Sequence, residues 1–322
     1  MADILNTLHL NLITPTILFF FLGIFAGGLK SDLAIPDVAA KFMSIYLLFA
    51  IGFKGGVSFV ESPLTPDLAF SALAAVVLSF IIPVFGYLLL RVLTALDKID
   101  AAAVAGHYGS ISIVTFVTAV SVLENLGYDY EGYMVAVAAI MEAPAIFSAL
   151  WLARGTRSLS RPVLREIALN GSLVLLLGSF VIGIITGTRG MAEIGVFISS
   201  PFTGILCLFL LDMGLKAGRN IFQSRHQVTT GLIVFGFAMP LFCAAIGAVT
   251  SILIGLSLGG TFLLMVLCAS ASYIAVPAAL RLALPDSNAT IPITLSLGVT
   301  FPFNISLGLT LYLLVAEYLH KI

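Results

Sequence analysis

Residues 106–115 read Gly-His-Tyr-Gly-Ser-Ile-Ser-Ile-Val-Thr, and residues 268–277 read Cys-Ala-Ser-Ala-Ser-Tyr-Ile-Ala-Val-Pro. Both stretches place small and hydroxyl residues in the middle of long apolar runs, and each contains a residue that can break a helix, Gly109 or Pro277. Proline fits the first turn of a new helix, because the N–H group that it lacks would have no partner there. We therefore predict that two helices are interrupted at these points.

The composition places these helices in a membrane. Of the 322 residues, 60% are hydrophobic and only 10% are charged, and the mean hydropathy is +1.14. A soluble domain carries about 25% charged residues, because its surface faces water. The apolar runs are long and continuous, whereas a membrane β-barrel would show alternating residues. The sequence thus predicts an all-α integral membrane protein.

Several functional classes are excluded by what the sequence lacks. A net charge of −1 offers no basic surface for nucleic acid. There is no H-E-x-x-H, P-loop or G-x-S-x-G motif, and the three cysteines do not have metal-ligand spacing. We therefore expect no enzyme activity and no cofactor.

Ten apolar runs are candidates for membrane spans, since a helix needs about 20 apolar residues to cross the bilayer. Breaks of polar, Pro-rich or charged sequence separate them. Their limits are 13–28, 40–60, 67–95, 101–123, 132–153, 168–187, 198–217, 228–256, 260–282 and 289–316. The two unusual stretches fall in spans four and nine.

The two halves of the chain resemble each other at an offset of about 160 residues. Five spans per half is an odd number, so the second half enters the membrane from the opposite side, as in the inverted repeats of secondary transporters. We predict a first repeat over 1–153, a cytoplasmic linker over 154–166 and a second repeat over 167–322. The matching segments are 47–56 with 208–218, 21–28 with 180–187, and 142–147 with 300–305.

Basic residues predict the orientation, because short cytoplasmic loops are enriched in Lys and Arg. The densest cluster joins spans five and six: Arg154, Arg157, Arg161 and Arg165. Placing it in the cytoplasm puts 12 of the 15 basic residues inside. Both chain termini then lie outside.

The two interrupted helices predict an anion site. In an inverted repeat, the second halves of spans four and nine begin at mid-membrane, so their N-termini converge. Each N-terminus offers free N–H groups and a partial charge of about +0.5. The alternative is that these small residues only allow close helix packing. The proposed substrate-binding residues are Gly109, Ser110, Ser112, Ser270, Ala271, Ser272 and Tyr273.

Two carboxylates lie deep in predicted spans, Glu142 and Asp212. Each costs about 2.5–3.5 kcal/mol to insert, so a compensating partner is expected. For Asp212 that partner is Lys216, one helical turn away, whereas Lys54 has no carboxylate at the matching position and should point outward. For Glu142 we expect a sodium ion, because oxygen ligands suit this cation. The alternative is a protonated Glu142 bonded to a neighbouring helix.

The proposed sodium ligands come from both halves of the chain. Glu142 lies two residues before Pro144, and the matching part of span ten carries two oxygen ligands near Pro302. Thr115 adds a hydroxyl from span four. The proposed set is Glu142, Thr115, Thr300 and Asn304. Sodium would serve as a coupling ion, since its charge favours an anion bound nearby.

These core spans resemble the sodium-dependent bicarbonate transporter family known from cyanobacteria. The resemblance implies a core domain of spans three to five and eight to ten, which moves against a gate domain of spans one, two, six and seven. It also implies a homotrimer in the inner (plasma) membrane, with both termini outside. The residues that carry the likeness are 106–115, 123–124, 141–145, 269–277, 280–281 and 284–288, followed by the polar last span.

The sequence departs from the cyanobacterial pattern in three places. Tyr273 stands where the pattern has Asp, and Ala275 stands where it has Ser. Both positions adjoin the proposed anion gap, so the sodium stoichiometry stays open. The long cytoplasmic insert of the family is reduced to the short linker 154–166. Regulation by a small PII-like partner through that insert is therefore not expected.

These observations favour a secondary transporter that imports a small anion, with bicarbonate as the first candidate, coupled to sodium by elevator-like alternating access. Its partners would be the anion, sodium, the lipid bilayer and two further copies of the chain. One alternative is an organic-anion symporter or a sodium/proton exchanger on a similar fold, in which Glu142 or His107 would carry protons. A second alternative is a membrane sensor that does not transport.

Overall fold

The computed structural model describes residues 13–61, 66–154, 165, 169, 171–223 and 229–321. The predicted linker 154–166 lies outside the described residues apart from Arg154 and Arg165, and Arg157 and Arg161 lie outside them as well. This part of the chain contains helices and no strand. The helices are α1 (Pro15–Gly28), α2 (Asp37–Glu61), α3 (Pro66–Leu93), α4 (Lys98–Gly109), α5 (Ile113–Leu126), α6 (Met134–Ile140), α7 (Glu142–Arg154), α8 (Gly171–Ser199), α9 (Phe202–Gln223), α10 (Thr230–Ile254), α11 (Leu258–Ala269), α12 (Ala275–Ala283) and α13 (Thr290–Leu319).

The predicted all-α membrane architecture is confirmed. Within the described ranges, seven segments are long and apolar enough to span a membrane: Asp37–Val60, Pro66–Leu93, Lys98–Leu126, Met134–Arg154, Gly171–Ser199, Thr230–Ile254 and Thr290–Leu319. The other three predicted spans correspond to the short α1, to α9 with its three charged residues, and to the divided pair α11 and α12. The chain is a multi-pass membrane protein, and the count of ten spans stays a prediction.

Both predicted helix interruptions are present. Helix α4 ends at Gly109, residue Ser110 is extended, and α5 begins at Ile113. The Ser112 hydroxyl accepts a hydrogen bond from the Thr115 N–H at 3.3 Å, which is the usual way to start a helix. In the second half α11 ends at Ala269 and α12 begins at Ala275.

Helix α8 is longer than predicted and contains a kink. Gly187 has φ 54° and ψ −144°, a conformation that glycine adopts without steric cost. The predicted span over 168–187 thus ends at this kink, but a second helical stretch follows over 188–199, which the sequence interpretation missed. This stretch is tied to α2, because the Tyr46 hydroxyl donates to the Phe197 carbonyl at 2.7 Å.

Helices α1, α2, α8 and α9 pack closely on one another, α1 against α9 and α2 against α8. We call them the four-helix group. The close approach requires glycine: a Cβ atom on Gly23 would overlap the Leu211 carbonyl, and one on Gly214 would overlap the Phe20 carbonyl. Small residues allow such backbone contact. In a membrane the lipid is as apolar as the helices, so helices associate through van der Waals packing rather than through the hydrophobic effect.

The remaining helices, α3–α7 and α10–α13, form a second group, which we call the larger group. Helix α4 packs against α3 and α7, and α11 packs against α10 and α13. The two interruptions therefore lie inside this group, where Ser110, Ser112, Ser270 and Ser272 are all buried.

Candidate functional site

The two interruptions are hydrogen-bonded directly to each other. The Ser112 N–H donates to the Ser270 hydroxyl at 2.9 Å, and the Ser272 N–H donates to the His107 carbonyl at 2.7 Å. The buried His107 ring returns a bond, with Nδ1 donating to the Ser272 carbonyl at 2.6 Å. Backbone N–H and C=O groups that have no helical partner at the interruptions are thereby hydrogen-bonded inside the protein, as an apolar environment requires.

The N-terminus of α5 faces a narrow pocket. Ile113 and Val114 line it, and their N–H groups lie in the first turn, where a helix offers no internal acceptor. Ser112, Ser272 and Tyr273 line the same pocket. One helix N-terminus and residues from both breaks therefore line a single pocket.

All seven proposed substrate residues lie in the breaks or at their edges. Gly109 is the last residue of α4, and the buried Ala271 lies between the two bonded serines of the second break. Tyr273 is half-buried, and its ring packs edge-on against Phe301 at a centroid distance of 5.3 Å. Three of the seven, Ser112, Ser272 and Tyr273, line the narrow pocket.

Glu142 joins this pocket from α7. Its side chain is 2% exposed, it lines the pocket, and neither carboxylate oxygen has a hydrogen-bond partner among the described residues. The buried hydroxyls of Thr115 and Ser110 also have no partner there. A buried carboxylate without a partner is costly unless it binds a proton or a cation.

The other two proposed sodium ligands are already hydrogen-bonded. The Thr300 hydroxyl donates to the Gly236 carbonyl at 2.9 Å, which Pro240 leaves without its helical partner, and it also bonds Tyr108. The Asn304 amide donates to the Ala269 carbonyl at 2.9 Å and accepts from Tyr312 at 2.9 Å. Within the described part of the chain, the side chains of Thr300 and Asn304 are thus hydrogen-bonded, whereas those of Glu142 and Thr115 have no partner.

A wider cavity of about 680 Å³ adjoins the narrow pocket. The two share lining residues from both helix groups, among them Ser44, Phe209 and Tyr273. The wider cavity extends to Asp37, Lys41 and Lys216, which lie at the end of the bundle predicted to face the cytoplasm. The pocket therefore communicates with one end of the bundle along the boundary between the two groups.

The structure shows the partners of two charged side chains within the spans, Asp212 and Lys54. Asp212 is paired with Lys216 at 2.7 Å, which confirms the predicted i,i+4 pair. Lys54, which was expected to point outward, has a partner that the sequence did not predict: its Nζ lies 3.0 Å from Glu124 Oε1 and 5.0 Å from the centroid of the Phe202 ring. This pair could not be predicted because Glu124 is distant in sequence and belongs to α5.

Sequence reasoning missed two features of the site. Ser79 on α3 is fully buried, and its hydroxyl lies within hydrogen-bond distance of the carbonyls of Gly109 and Met141. In addition, α13 contains two π-helical stretches, Ser296–Thr300 and Asn304–Gly308, and such stretches are frequent at functional sites. A lone serine in an apolar span carries no distinctive signal, whereas Pro302 at the centre of α13 could have indicated the irregular helix.

Comparison with known proteins identifies a family. The family model described as the Na+-dependent bicarbonate transporter superfamily matches residues 15–317 of the chain. No curated protein matches the chain. The matched range includes both interruptions, Glu142 and the whole of the pocket described above.

Proposed function

This chain belongs to the Na+-dependent bicarbonate transporter superfamily, and from that premise we propose that it imports bicarbonate together with sodium by alternating access. The observation that carries the proposal is the shared pocket, which is lined by a helix N-terminus and by a buried carboxylate without a partner among the described residues. The first feature suits an anion, and the second suits a cation.

We further propose that the chain is a five-plus-five inverted repeat of ten spans. The pattern of packing supports this: α1 of the first half pairs with α9 of the second, and α2 pairs with α8. The two interruptions, one from each half of the chain, are likewise hydrogen-bonded to each other. The four-helix group would be the gate domain, and the larger group would be the core domain. A homotrimer in the inner membrane, with both termini outside, completes this proposal.

Binding of the two ions would be linked by charge. Sodium would bind Glu142 and Thr115, whose oxygens have no other partner in the described part of the chain. Thr300 and Asn304 would join only by exchanging the hydrogen bonds that they now make. The anion would bind the N-terminus of α5 with Ser110, Ser112 and Ser272. A cation near Glu142 then offsets the charge of the anion in a medium of low dielectric constant.

The conformation would be the inward-facing one. The wider cavity reaches the lysines of the predicted cytoplasmic end, while Lys54 and Glu124 join the two helix groups at the opposite end. Transport would require the larger group to move against the four-helix group until the pocket opens on the other side. Each net positive charge carried inward gains about 2.3 kcal/mol per 100 mV of membrane potential.

The deciding experiment is uptake of labelled bicarbonate into proteoliposomes, with and without an inward sodium gradient. The proposal expects uptake that depends on sodium. Absence of uptake, or uptake indifferent to sodium, would reject it. A pH-dependent current without bicarbonate would favour a sodium/proton exchanger instead, and binding without flux would favour a sensor.

We expect Ser110→Ala to weaken bicarbonate binding. The Ser110 hydroxyl is buried and has no partner among the described residues, so it is available to donate to the anion. A hydrogen bond to a charged group contributes about 1.5–3 kcal/mol, so the bicarbonate KM should rise about tenfold or more. Ser251→Ala is the control, because its buried hydroxyl bonds the Ala248 carbonyl within its own helix, α10. An unchanged KM in Ser110→Ala would remove this residue from the site.

We expect the Lys54–Glu124 ion pair to stabilise the inward-facing state. Glu124→Lys should place two like charges together and so shift the population towards the outward-facing state. The double exchange of Lys54→Glu with Glu124→Lys should restore the inward-facing population. The readout is labelling of Ser44→Cys, in the wider cavity, by a membrane-impermeant maleimide from the cytoplasmic side. Labelling should fall in Glu124→Lys and recover in the exchange variant. Glu193→Lys, in an exposed pair within α8, is the control, and equal labelling in all variants would contradict the expectation.

A further inference from the structure

Ser79 connects the two halves of the proposed site. It lies on α3, its side chain is 0% exposed, and its hydroxyl lies within hydrogen-bond distance of two backbone carbonyls, which share its single proton. One is the Gly109 carbonyl at 3.2 Å, and the other is the Met141 carbonyl. Since both carbonyls lie within hydrogen-bond distance of one oxygen atom, their two segments meet at this side chain.

Each of these carbonyls belongs to a segment with a proposed ion-binding role. Gly109 ends α4 and directly precedes Ser110 in the first break. Its carbonyl lies at the end of a helix, where no further turn supplies a donor. Met141 lies between α6 and α7 and directly precedes Glu142. A shift of either carbonyl would therefore move a neighbouring residue of the anion site or the cation site.

Helix α3 is held firmly enough to serve as a frame for these contacts. A Cβ atom on Gly109 would overlap the Pro83 ring, so α3 and α4 are in close contact at the break. On the other side, the Ser148 hydroxyl of α7 donates to the Phe80 carbonyl of α3 at 2.9 Å. Ser79 therefore lies on a helix that is packed against both α4 and α7.

We propose that Ser79 is a positioning residue that couples sodium binding at Glu142 to anion binding at the first break. This inference rests on the proposed function. Coupling between two binding sites is reciprocal: if bound sodium strengthens bicarbonate binding through this connection, bound bicarbonate strengthens sodium binding by the same free energy. Removing the hydroxyl removes this shared contact, while every side chain proposed to bind an ion remains.

The test compares the bicarbonate KM at low and at saturating sodium in proteoliposomes. In the wild type, sodium should lower the KM severalfold, since coupling factors of roughly 5–150 are typical. In Ser79→Ala the ratio of the bicarbonate KM at low sodium to the KM at saturating sodium should fall towards one. The maximal rate at saturating sodium and bicarbonate should stay within about twofold of the wild-type rate, because the separate sites remain intact. A merely structural role would lower the amount of active protein and leave the factor unchanged.

Two further variants keep the result interpretable. Ser79→Cys keeps a side chain of similar volume but replaces the hydroxyl with a thiol, which is a weak hydrogen-bond donor. It should therefore lose the coupling as Ser79→Ala does. If the alanine variant does not fold, the cysteine variant provides the test. Ser148→Ala removes a comparable buried hydroxyl bond between α7 and α3 and should keep the wild-type factor. A wild-type factor in Ser79→Ala, or an equal loss in Ser148→Ala, would overturn the inference. Failure of the wild type itself to show sodium-dependent uptake would instead reject the proposed function.

Discussion

Glu142→Gln should abolish the sodium dependence of bicarbonate uptake. The amide is close in size to the carboxylate but carries no charge, so a bound cation would lose its counter-charge in a site that is 2% exposed. In sodium-free detergent the variant should unfold no more readily than the wild type, because it no longer buries a carboxylate that has no partner among the described residues. The measurements are uptake at several sodium concentrations and the melting temperature with and without sodium.

The thermal measurement separates binding from transport. A ligand that binds only the folded protein stabilises it by about 2.7 kcal/mol at 100 times its dissociation constant, so sodium should raise the melting temperature of the wild type and leave Glu142→Gln unchanged. Asp212→Asn is the matched control, since Asp212 is also a buried carboxylate but is paired with Lys216. If Glu142→Gln keeps its sodium dependence, the cation site lies elsewhere.

Gly214→Ala should markedly destabilise the fold. A Cβ atom at this position would overlap the Phe20 carbonyl and approach the Ile24 nitrogen and the Gly23 Cα. These are backbone atoms, so α1 must move away from α9 to make room. Overpacking of this kind typically costs about 1–3 kcal/mol. We expect a lower melting temperature in detergent and a smaller fraction of monodisperse protein on size exclusion.

Gly204→Ala provides the control on the same helix. Gly204 is exposed, and a Cβ atom added there would meet no described atom within 4 Å. Because alanine is a better helix former than glycine by about 1 kcal/mol, this variant should be as stable as the wild type or more stable. Equal melting temperatures for Gly214→Ala and the wild type would show that close α1–α9 packing does not hold the four-helix group together.

Much of the fold could be predicted because the responsible signals are local. A high apolar content requires helices that satisfy their own backbone groups in lipid, and the small polar residues around Gly109 and before Pro277 were sufficient to place both interruptions. The Asp212–Lys216 pair was predictable for the same reason, since one helical turn fixes the relation between the two side chains. The sequence predicted that a span ends at Gly187, but it did not predict that the helix continues beyond the kink there.

The site was predictable only in part. The residues of the two breaks were identified from composition, and the structure brings Ser112, Ser272 and Tyr273 to one pocket with Glu142. Hydrogen-bond partners were not predictable. Thr300 and Asn304 have the residue types of cation ligands, but their neighbours in space are the carbonyls of Gly236 and Ala269.

The amino-acid order by itself determined that this chain is a multi-pass membrane protein with two broken helices, because lipid allows few backbone structures and a helix breaks where its own residues permit. Only the tertiary structure decided that Ser79 joins Gly109 to Met141, that Lys54 meets Glu124, and that Glu142 is left without a partner among the described residues. Each of these contacts, or its absence, depends on helices that are distant in sequence, and their relative placement follows from packing rather than from any local pattern.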